Sequence, residues 1–343
     1  MDKSIVLGLS GGVDSAVSAL LLKEQGWHVT CLWLDIGLGG GEDAAAAAEF
    51  LGLPLEKADI RGPLETYVCA PFAEDYLAGR TPLPCARCNA AVKFPALLVL
   101  AERLGASHVA TGHYARTEEG LLKRGRPAND QSYLLARLTR DILRHSVFPL
   151  GAYEKGEVRA MARRYGIPAA GKPDSMELCF IPDGDYAAWL DKRGGAPPPG
   201  EFVDPRGTVL GRHKGIHHYT PGQRRGLGIS AGNRLFVSAI LPETNQVVLS
   251  GAEDLYTKRV FCTGLNWIAA EKPPDKPLKA TVRLRHTRLE TPATLLPRAF
   301  GAELALGSPA RAPAPGQLAV FYDGDTVLGS GWITEYPIHT GTE

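Results

Sequence analysis

Hydrophobic and polar positions alternate in blocks along the first half of the chain. Short apolar runs at Ile5–Leu9 and Val29–Leu34 predict buried strands. The segments Ala16–Gln25 and Glu42–Leu51 predict helices, each closed by a glycine, and Leu55–Asp59 predicts a third strand. This β-α-β-α-β order indicates an α/β fold with a doubly wound parallel sheet.

The same pattern continues further along the chain. Ala96–Leu104 predicts a helix that leads into a strand at His108–Thr111, and Glu157–Tyr165 predicts another helix. Open parallel sheets bind ligands beyond the carboxyl ends of their strands. The turn Ser10–Ser15 and the pair Gly112-His113 are expected at that edge.

The second half of the chain has a β-rich pattern. It begins after the Gly/Pro stretch 194–200, where we predict a domain boundary. The sequence therefore predicts an α/β domain over residues 1–195, a small linking domain over 196–256 and an antiparallel β-barrel over 257–343. The proline-rich stretches 272–277 and 308–316 are expected to interrupt the strands, which are predicted at Leu235–Leu241, Gln246–Ser250, Lys279–Leu284, Gln317–Tyr322 and Thr326–Ile333.

Composition excludes several classes of protein. The chain has 343 residues, 44% hydrophobic and 22% charged, so it can bury a substantial core and is not disordered. The net charge is +1, but residues 201–300 carry 15 Lys and Arg against 8 Asp and Glu, which suggests a half that faces a polyanion. No apolar run approaches the ~20 residues of a membrane span, and no cleavable signal pattern is present. We therefore expect a soluble, cytoplasmic protein without a membrane partner.

The turn after the first predicted strand is a candidate phosphate site. Ser10-Gly11-Gly12-Val13-Asp14-Ser15 leads directly into a helix, so backbone N–H groups and the positive end of the helix dipole face the ligand edge. Asp14 is expected to hold a cation that screens phosphate charge. A nucleotide with its metal ion is therefore expected, although neither a Walker A loop nor G-x-G-x-x-G is present.

Several motifs stand in a characteristic order along the chain. They are the turn Ser10–Ser15, Thr81–Asn89, Ala110–Ala115, Asn129–Tyr133, Asp174–Ile181 and Tyr219–Gly228. Together they resemble the motifs of the tRNA-specific 2-thiouridylase family, which belongs to the PP-loop ATP pyrophosphatases, and a weaker likeness continues at Val282–His286 and Pro315–Tyr322. The resemblance implies a PP-loop fold, ATP with Mg²⁺ as cofactors, and a tRNA with a wobble uridine as substrate, whose 2-oxygen is replaced by sulfur.

The resemblance and the charge pattern also suggest binding residues. The nucleotide contacts are expected at Gly8, Leu9, Ser10, Gly11, Gly12, Val13, Asp14, Ser15, Leu34 and Gly112. The tRNA contacts are expected at His113, Asn129, Asp130, Gln131, Arg224, Arg225, Arg283 and Gln317, the last two on a basic face of the barrel.

Two cysteines are expected to carry the sulfur chemistry. Cys88 precedes Asn89, a good N-cap, and lies near Arg87 and Lys93, so its pKa is predicted to fall towards neutrality. The resemblance makes Cys179 the persulfide carrier and Cys88 its partner in a disulfide that releases the product. Catalysis is accordingly expected from Cys88, Cys179 and Asp14.

Cys85 departs from one form of the family, in which Asp stands at this position. Cys85, Cys88 and Cys179 are three thiolates, the number that holds a [4Fe–4S] cluster with one iron left open for sulfide. A zinc site completed by His113 is a third alternative. The sulfur source is expected to be a cysteine desulfurase relay or free sulfide. Cys31, Cys69 and Cys262 are expected to be buried and inert.

Two other functions are compatible with the nucleotide turn. Another PP-loop pyrophosphatase, such as an amidating or lysidine-forming synthetase, would not need paired reactive cysteines. A non-catalytic nucleotide or RNA-binding module would need neither Asp14 nor the thiols. A second departure is the brief, glycine-rich segment Asp35–Glu42, which replaces a longer family segment.

Overall fold

A computed structural model describes residues 3–172, 178–229 and 234–335. Three sheets account for the strands in these ranges. The strands are β1 Ser4–Gly8, β2 His28–Asp35, β3 Leu55–Asp59, β4 His108–Ala110, β5 Ala115–Glu118, β6 Leu121–Arg124, β7 Ser146–Val147, β8 Gly200–Val203, β9 Val209–His213, β10 Phe236–Leu241, β11 Gln246–Ser250, β12 Tyr256–Trp267, β13 Leu278–Arg283, β14 Thr291–Arg298, β15 Gly301–Arg311, β16 Leu318–Asp323 and β17 Thr326–Thr334.

The helices belong mainly to the first 193 residues. They are α1 Val13–Glu24, α2 Gly41–Leu51, α3 Arg61–Leu64, α4 Ala70–Leu77, α5 Pro84–Cys88, α6 Phe94–Leu104, α7 Ser132–Leu135, α8 Arg140–Arg144, α9 Lys155–Arg164 and α10 Tyr186–Arg193. Two π-helical segments, Glu65–Cys69 and Asn89–Lys93, join α3 to α4 and α5 to α6. Short 3₁₀ turns lie at Pro168–Gly171, Ile216–His218, Pro242–Thr244 and Glu253–Leu255. None of the described helices is long and apolar enough to cross a membrane.

The first sheet is parallel and has the strand order β3-β2-β1-β4-β7. Ile5 and Leu7 pack into the core on one face, and Val6 packs into the core on the other, because successive side chains of a strand point to opposite faces. This burial on both faces explains the continuous apolar run in the sequence. The predicted doubly wound α/β fold is confirmed. Successive strands are added on one side of β1 up to β3 and on the other side from β4 onward. The position between β1 and β4, where the strand order reverses, is where such sheets bind ligands.

The second half forms two further sheets. A four-stranded sheet has the order β10-β11-β8-β9. Strands β12 to β17 form an antiparallel barrel, closed by the pairing of β12 with β17, as predicted. The boundaries at 195 and 256 remain predictions.

One feature of the barrel was not predicted. The hairpin β5–β6, from the first half of the chain, joins the barrel through the pair Lys123 and Thr326. The expected interruption at 308–316 is wrong for its first part, because β15 extends to Arg311. Pro309 falls between the pairs Ala305–Arg259 and Ala310–Thr257, where the register shifts. A proline, which has no N–H, is tolerated at such an irregularity.

Candidate functional site

The turn after β1 forms an anion cradle at the start of α1. Gly12 precedes the helix, and no side chain caps the first helical turn. The amide groups of that turn are therefore available to an anionic ligand. Gly11 has φ +79°, and a Cβ there would lie 2.5 Å from the backbone carbonyl carbon of Asp43. Glycine is required here both for the backbone conformation and for close packing against α2.

The serines of the turn hold the cradle in shape. Ser15 Oγ donates to the Gly12 carbonyl at 3.0 Å and accepts from the Ser10 amide at 3.2 Å. Gly112 lies against the same turn, because a Cβ on it would be 3.0 Å from the Asp14 carbonyl carbon. The segments that follow β1 and β4 therefore meet, as the parallel topology predicted.

Asp14 is part of an ion pair that the sequence did not reveal. Lys155 Nζ, at the start of α9, lies 2.7 Å from both carboxylate oxygens of Asp14. The Tyr114 hydroxyl also donates to Oδ1 at 2.7 Å. The chain itself therefore supplies a cation to this carboxylate, which the sequence did not predict.

A cavity of about 470 Å³ joins the cradle to the predicted sulfur chemistry. Its lining includes residues of the nucleotide turn and all three candidate thiols. The predicted residues along its wall are Gly8, Leu9, Ser10, Asp14, Ser15, Leu34, Cys85, Cys88, Gly112, His113, Gln131 and Cys179. Val13, by contrast, is 4% exposed within the core, so its side chain does not contact a ligand in this cavity.

The three thiols approach this cavity from two segments of the chain. Cys85 and Cys88 lie three positions apart on α5, and Cys179 lies 91 positions later, beside Phe180 in the apolar cluster that packs on Phe72. The described part of the motif Asp174–Ile181 begins at Leu178, because residues 173–177 lie outside the described ranges. Cys31, Cys69 and Cys262 are buried as expected.

Two expectations about Cys88 are wrong. Asn89 does not cap a helix, because it continues the helical path in a π-helical segment and its side-chain amide donates to the Leu134 carbonyl at 3.0 Å. Burial raises the pKa of the Cys88 thiol to about 11, against an opposing effect of Lys93. Burial likewise raises the pKa of Cys85 and Cys179. Arg87 pairs with Asp75 at 3.1 Å and is not among the charges that shift the pKa of Cys88.

Lys93 is the cationic side chain shared by these thiols. It lines the cavity and lowers the pKa of Cys85, Cys88 and Cys179 against the larger effect of burial. Burial, together with Lys93, lowers the pKa of His113 well below its usual 6.5, so its imidazole is neutral. His113 Nδ1 is 2.7 Å from Thr111 Oγ1. The sequence predicted that Lys93 lies near Cys88, but it did not predict that Lys93 lowers the pKa of all three thiols.

The spacing of possible ligand atoms bears on the zinc alternative. Among the described residues, the one group of three His, Cys, Asp or Glu with ligand atoms all within 4.8 Å of one another is Asp191, His217 and His218. The four ligands of a tetrahedral zinc site lie closer together than this limit. Cys85, Cys88, Cys179 and His113 are not gathered at that spacing in this structure, and the three alternatives for the cysteines stay predictions.

The predicted tRNA loop, residues 129–131, is fixed by hydrogen bonds between its side chains and backbone amides of the protein. Asn129 Oδ1 accepts from the Lys155 amide, and Gln131 Oε1 accepts from the Tyr114 amide. Asp130 accepts from the amides of Gly125 and Ser132 at 3.1 and 3.0 Å. These side-chain oxygens shape the loop, and Gln131 also lines the main cavity.

The two predicted tRNA contacts on the barrel both bind within the protein. Arg283 forms an ion pair with Asp130 in which both side chains are 5% exposed. It therefore joins the barrel to the loop, and the expectation that it lies on an exposed basic face is wrong. Gln317, which is partly exposed, donates to the carbonyl oxygens of Thr81 and Pro82, both at 3.1 Å. It anchors the segment before α5, and its contact with tRNA stays a prediction.

The paired arginines remain exposed. Arg224 and Arg225 lie in the turn before β10, and Gln223 Nε2 donates to the Arg225 carbonyl at 3.0 Å. The neighbouring Gly222 has φ +88° and lies against Arg285, which donates to the Pro221 carbonyl at 2.8 Å. The turn is thus fixed to the barrel while its two charges face solvent.

Three family models match this chain in order. "tRNA methyl transferase HUP domain" matches residues 3–183, "tRNA methyl transferase PRC-barrel domain" matches 188–251 and "Aminomethyltransferase beta-barrel domain" matches 257–333. The tRNA-specific 2-thiouridylase MnmA of Syntrophotalea carbinolica is 44% identical over 97% of this chain and 99% of its own length. The chain belongs to the tRNA-specific 2-thiouridylase family. The resemblance drawn from the motifs is therefore confirmed.

Other similarities differ greatly in extent. The tRNA-specific 2-thiouridylase MnmA of Acidithiobacillus ferrooxidans is 44% identical and covers 97% of this chain and 98% of its own length. The structure of NMN synthetase from Francisella tularensis has a TM-score of 0.36 and 20% identity, and covers 51% of this chain and 67% of its own.

Membership of the 2-thiouridylase family implies the use of ATP with Mg²⁺, and the cradle fits this cofactor. The uncapped amides of α1 suit phosphate oxygens, and the two glycines allow close approach. Asp14 Oδ1 accepts two of the described hydrogen bonds and Oδ2 accepts one. Since a carboxylate oxygen has two lone pairs, Oδ2 can also bind Mg²⁺, which proteins often hold through one carboxylate plus phosphates and water.

Proposed function

We propose that this protein is an ATP-dependent tRNA-uridine 2-sulfurtransferase that converts the wobble uridine to 2-thiouridine. The supporting observation is the shared cavity, in which the anion cradle and Cys85, Cys88 and Cys179 line one space. The cradle would bind ATP, and the target base would enter between the cradle and the thiols. A stacked anticodon base must first leave its stack, which costs a few kcal/mol.

ATP would activate the uracil. The O2 atom attacks the α-phosphorus, an O–P bond forms and pyrophosphate leaves. Lys155 is placed beside Asp14 to balance charge as the phosphates separate. The C2 atom, now bonded to a good leaving group, becomes open to a sulfur nucleophile.

In one route Cys179 carries a persulfide. Its terminal sulfur attacks C2, and the C2–O2 bond breaks as AMP leaves with the oxygen. The Cys88 thiolate then attacks the Cys179 sulfur, so the S–S bond to the new 2-thiouracil breaks and a Cys88–Cys179 disulfide forms. The persulfide is reduced by two electrons as the two thiols are oxidised. A thiol reductant must then reduce the disulfide before another turnover.

In a second route Cys85, Cys88 and Cys179 would hold a [4Fe–4S] cluster. The three thiols match such a cluster in number, and they line one cavity. Such a cluster would supply an open iron site for a sulfide. The chain's own contribution in this route is the cavity wall, the Lys93 charge and the orientation of α5. This route leaves the cysteines unoxidised at the end of each turnover.

The barrel and the four-stranded sheet β10-β11-β8-β9, here called the linking sheet, would hold the tRNA. Arg224 and Arg225 are exposed on the linking unit and suit phosphate contacts. The sulfur source would be a persulfide relay from a cysteine desulfurase or free sulfide, and the reaction would take place in the cytoplasm.

Anaerobic thiolation of a wobble-uridine tRNA tests this function. Iron-loaded and iron-free protein are each supplied with ATP and either sulfide or a persulfide donor, and the nucleosides are analysed by mass spectrometry. We expect ATP-dependent 2-thiouridine at the wobble position from one of the two forms, which also identifies the route. AMP release with a different nucleoside product would indicate another PP-loop synthetase, and no product with either form would contradict the proposal.

A further inference from the structure

A second group of potential ligands lies away from the main cavity, where α10 meets the 3₁₀ turn Ile216–His218. It consists of Asp191, His217 and His218, whose ligand atoms all lie within 4.8 Å of one another. His217 Nε2 is 2.9 Å from Asp191 Oδ1, and His218 Nε2 is 3.9 Å from Asp191 Oδ2. The proposed thiolation uses none of these side chains.

We propose that Asp191, His217 and His218 bind a divalent transition metal ion such as Zn²⁺. Two imidazoles and one carboxylate are ligands that zinc accepts, with a fourth position left for water. Bonds of 2.0–2.1 Å in a tetrahedral site place neighbouring ligand atoms about 3.3 Å apart. The distances of 2.9 Å to Asp191 Oδ1 and 3.9 Å to Asp191 Oδ2 lie on either side of this value. Rotation of the side chains would bring both imidazoles to one carboxylate oxygen at that spacing.

The burial of the three residues determines how each takes part. The His217 side chain is 1% exposed, and its Nδ1 is enclosed by protein, so Nε2 is the atom that faces the group. His218 is 23% exposed and Asp191 is 49% exposed, which leaves a path for the ion from solvent. One ligand is thus rigid and two can adjust.

The metal ion would join two parts of the molecule. Asp191 lies on α10, whose Trp189 packs against Phe72 and Phe180, next to Cys179. The two histidines precede Tyr219, which packs against Phe202 of the linking sheet. A bound ion would therefore fix the linking sheet relative to the wall that carries Cys179.

Cobalt titration provides the test, because Co²⁺ reports its ligands by absorption. The full chain is used with Cys85, Cys88 and Cys179 replaced by Ser, so that thiols of the main cavity do not compete. We expect one equivalent of Co²⁺ to give visible bands without a thiolate charge-transfer band. Asp191→Asn and His218→Gln should each weaken binding roughly 10- to 100-fold or more, while His28→Gln, an exposed histidine on β2, should leave it unchanged.

Two results would overturn the proposal. One is the absence of one-equivalent binding to the protein that retains all three ligands. The other is equal affinity in the Asp191→Asn, His218→Gln and His28→Gln proteins. Circular dichroism checks that each variant is folded. If a variant does not fold, X-ray absorption of cobalt on the protein with all three ligands decides: a shell with two imidazoles supports the site, and one without imidazole contradicts it.

Discussion

Lys155 Nζ lies 2.7 Å from each carboxylate oxygen of Asp14, although 141 positions separate the two residues. The pair brings α9 to the start of α1, beside the anion cradle. Lys155→Ala should lower the rate of AMP formation on the order of 100-fold, because it removes a positive charge placed next to the reacting phosphates. The measurement is AMP release in single turnover with saturating tRNA.

A surface pair provides the control for this substitution. Arg103, in the last turn of α6, pairs with Glu56 at 2.9 Å. This end of α6 leads into the start of β4, at the edge of the sheet opposite the cradle. Arg103→Ala should leave AMP formation within about twofold of the unchanged protein, because exposed ion pairs contribute little. Equal rates for Lys155→Ala and Arg103→Ala would show that the Lys155–Asp14 pair has no part in the ATP reaction.

Serine substitutions of the three cavity thiols separate the two sulfur routes. Cys88→Ser and Cys179→Ser should each abolish thiolation while ATP binding persists, because both routes need these sulfur atoms. Cys85→Ser should abolish thiolation only in the cluster route, since the persulfide route does not use Cys85. Cys262→Ala, in the barrel core, is the matched control. Full activity of Cys179→Ser would exclude both routes.

The raised thiol pKa predicts how alkylation depends on pH. Burial raises the pKa of Cys88 to about 11, so in iron-free protein the thiolate is scarce at neutral pH. Below this pKa the thiolate fraction rises about tenfold per pH unit. The rate of Cys88 labelling by iodoacetamide should therefore also rise about tenfold per pH unit between pH 7 and 9. Mass spectrometry measures the labelling of each cysteine.

Lys93→Met tests the origin of the remaining reactivity. Lys93 lowers the pKa of Cys88, so its removal should raise that pKa further and slow labelling at every pH below it. Lys258→Met, at an exposed position on β12, should have no effect. A labelling rate that is flat from pH 7 to 9 would contradict the raised pKa.

Arginines that were predicted alike should behave differently in tRNA binding. Arg224→Ala and Arg225→Ala should each weaken binding and reduce the salt slope by roughly 1, without loss of stability. Arg283→Ala should lower the free energy of unfolding by about 3–5 kcal/mol, because it leaves Asp130 buried without its partner. Binding titrations at several salt concentrations and denaturant unfolding measure these effects. An unchanged unfolding free energy for Arg283→Ala would contradict its structural role.

The sequence predicted what depends on local pattern. The apolar runs located the parallel strands, and the Ser10–Ser15 turn located the cradle, because strand, glycine and helix signals lie within a few residues. It also predicted that Cys88 and Cys179 share a site with Asp14, although only through the family resemblance. One cavity lined by Asp14, Cys88 and Cys179 agrees with that expectation.

The predictions that were wrong concern residues whose surroundings come from other parts of the chain. The N-cap expected at Asn89 did not form, because the helical path of α5 continues through Asn89 towards α6 and no helix begins there. The side-chain amide of Asn89 donates instead to the Leu134 carbonyl, 45 positions away. The pKa of the Cys88 thiol was predicted in the wrong direction, since its burial against an apolar cluster outweighs the charge of Lys93. Arg283 was expected on a basic face, but the alternation of β13 does not show that Asp130 covers it.

The fate of the uracil oxygen tests the central claim most directly. A tRNA labelled with oxygen-18 at O2 of the wobble uridine is incubated with the protein, ATP and the sulfur source, and the AMP is analysed by mass spectrometry. If ATP activates the base that receives sulfur in the shared cavity, the AMP carries one oxygen-18 atom for each 2-thiouridine formed. Thiouridine accompanied by unlabelled AMP would contradict the account.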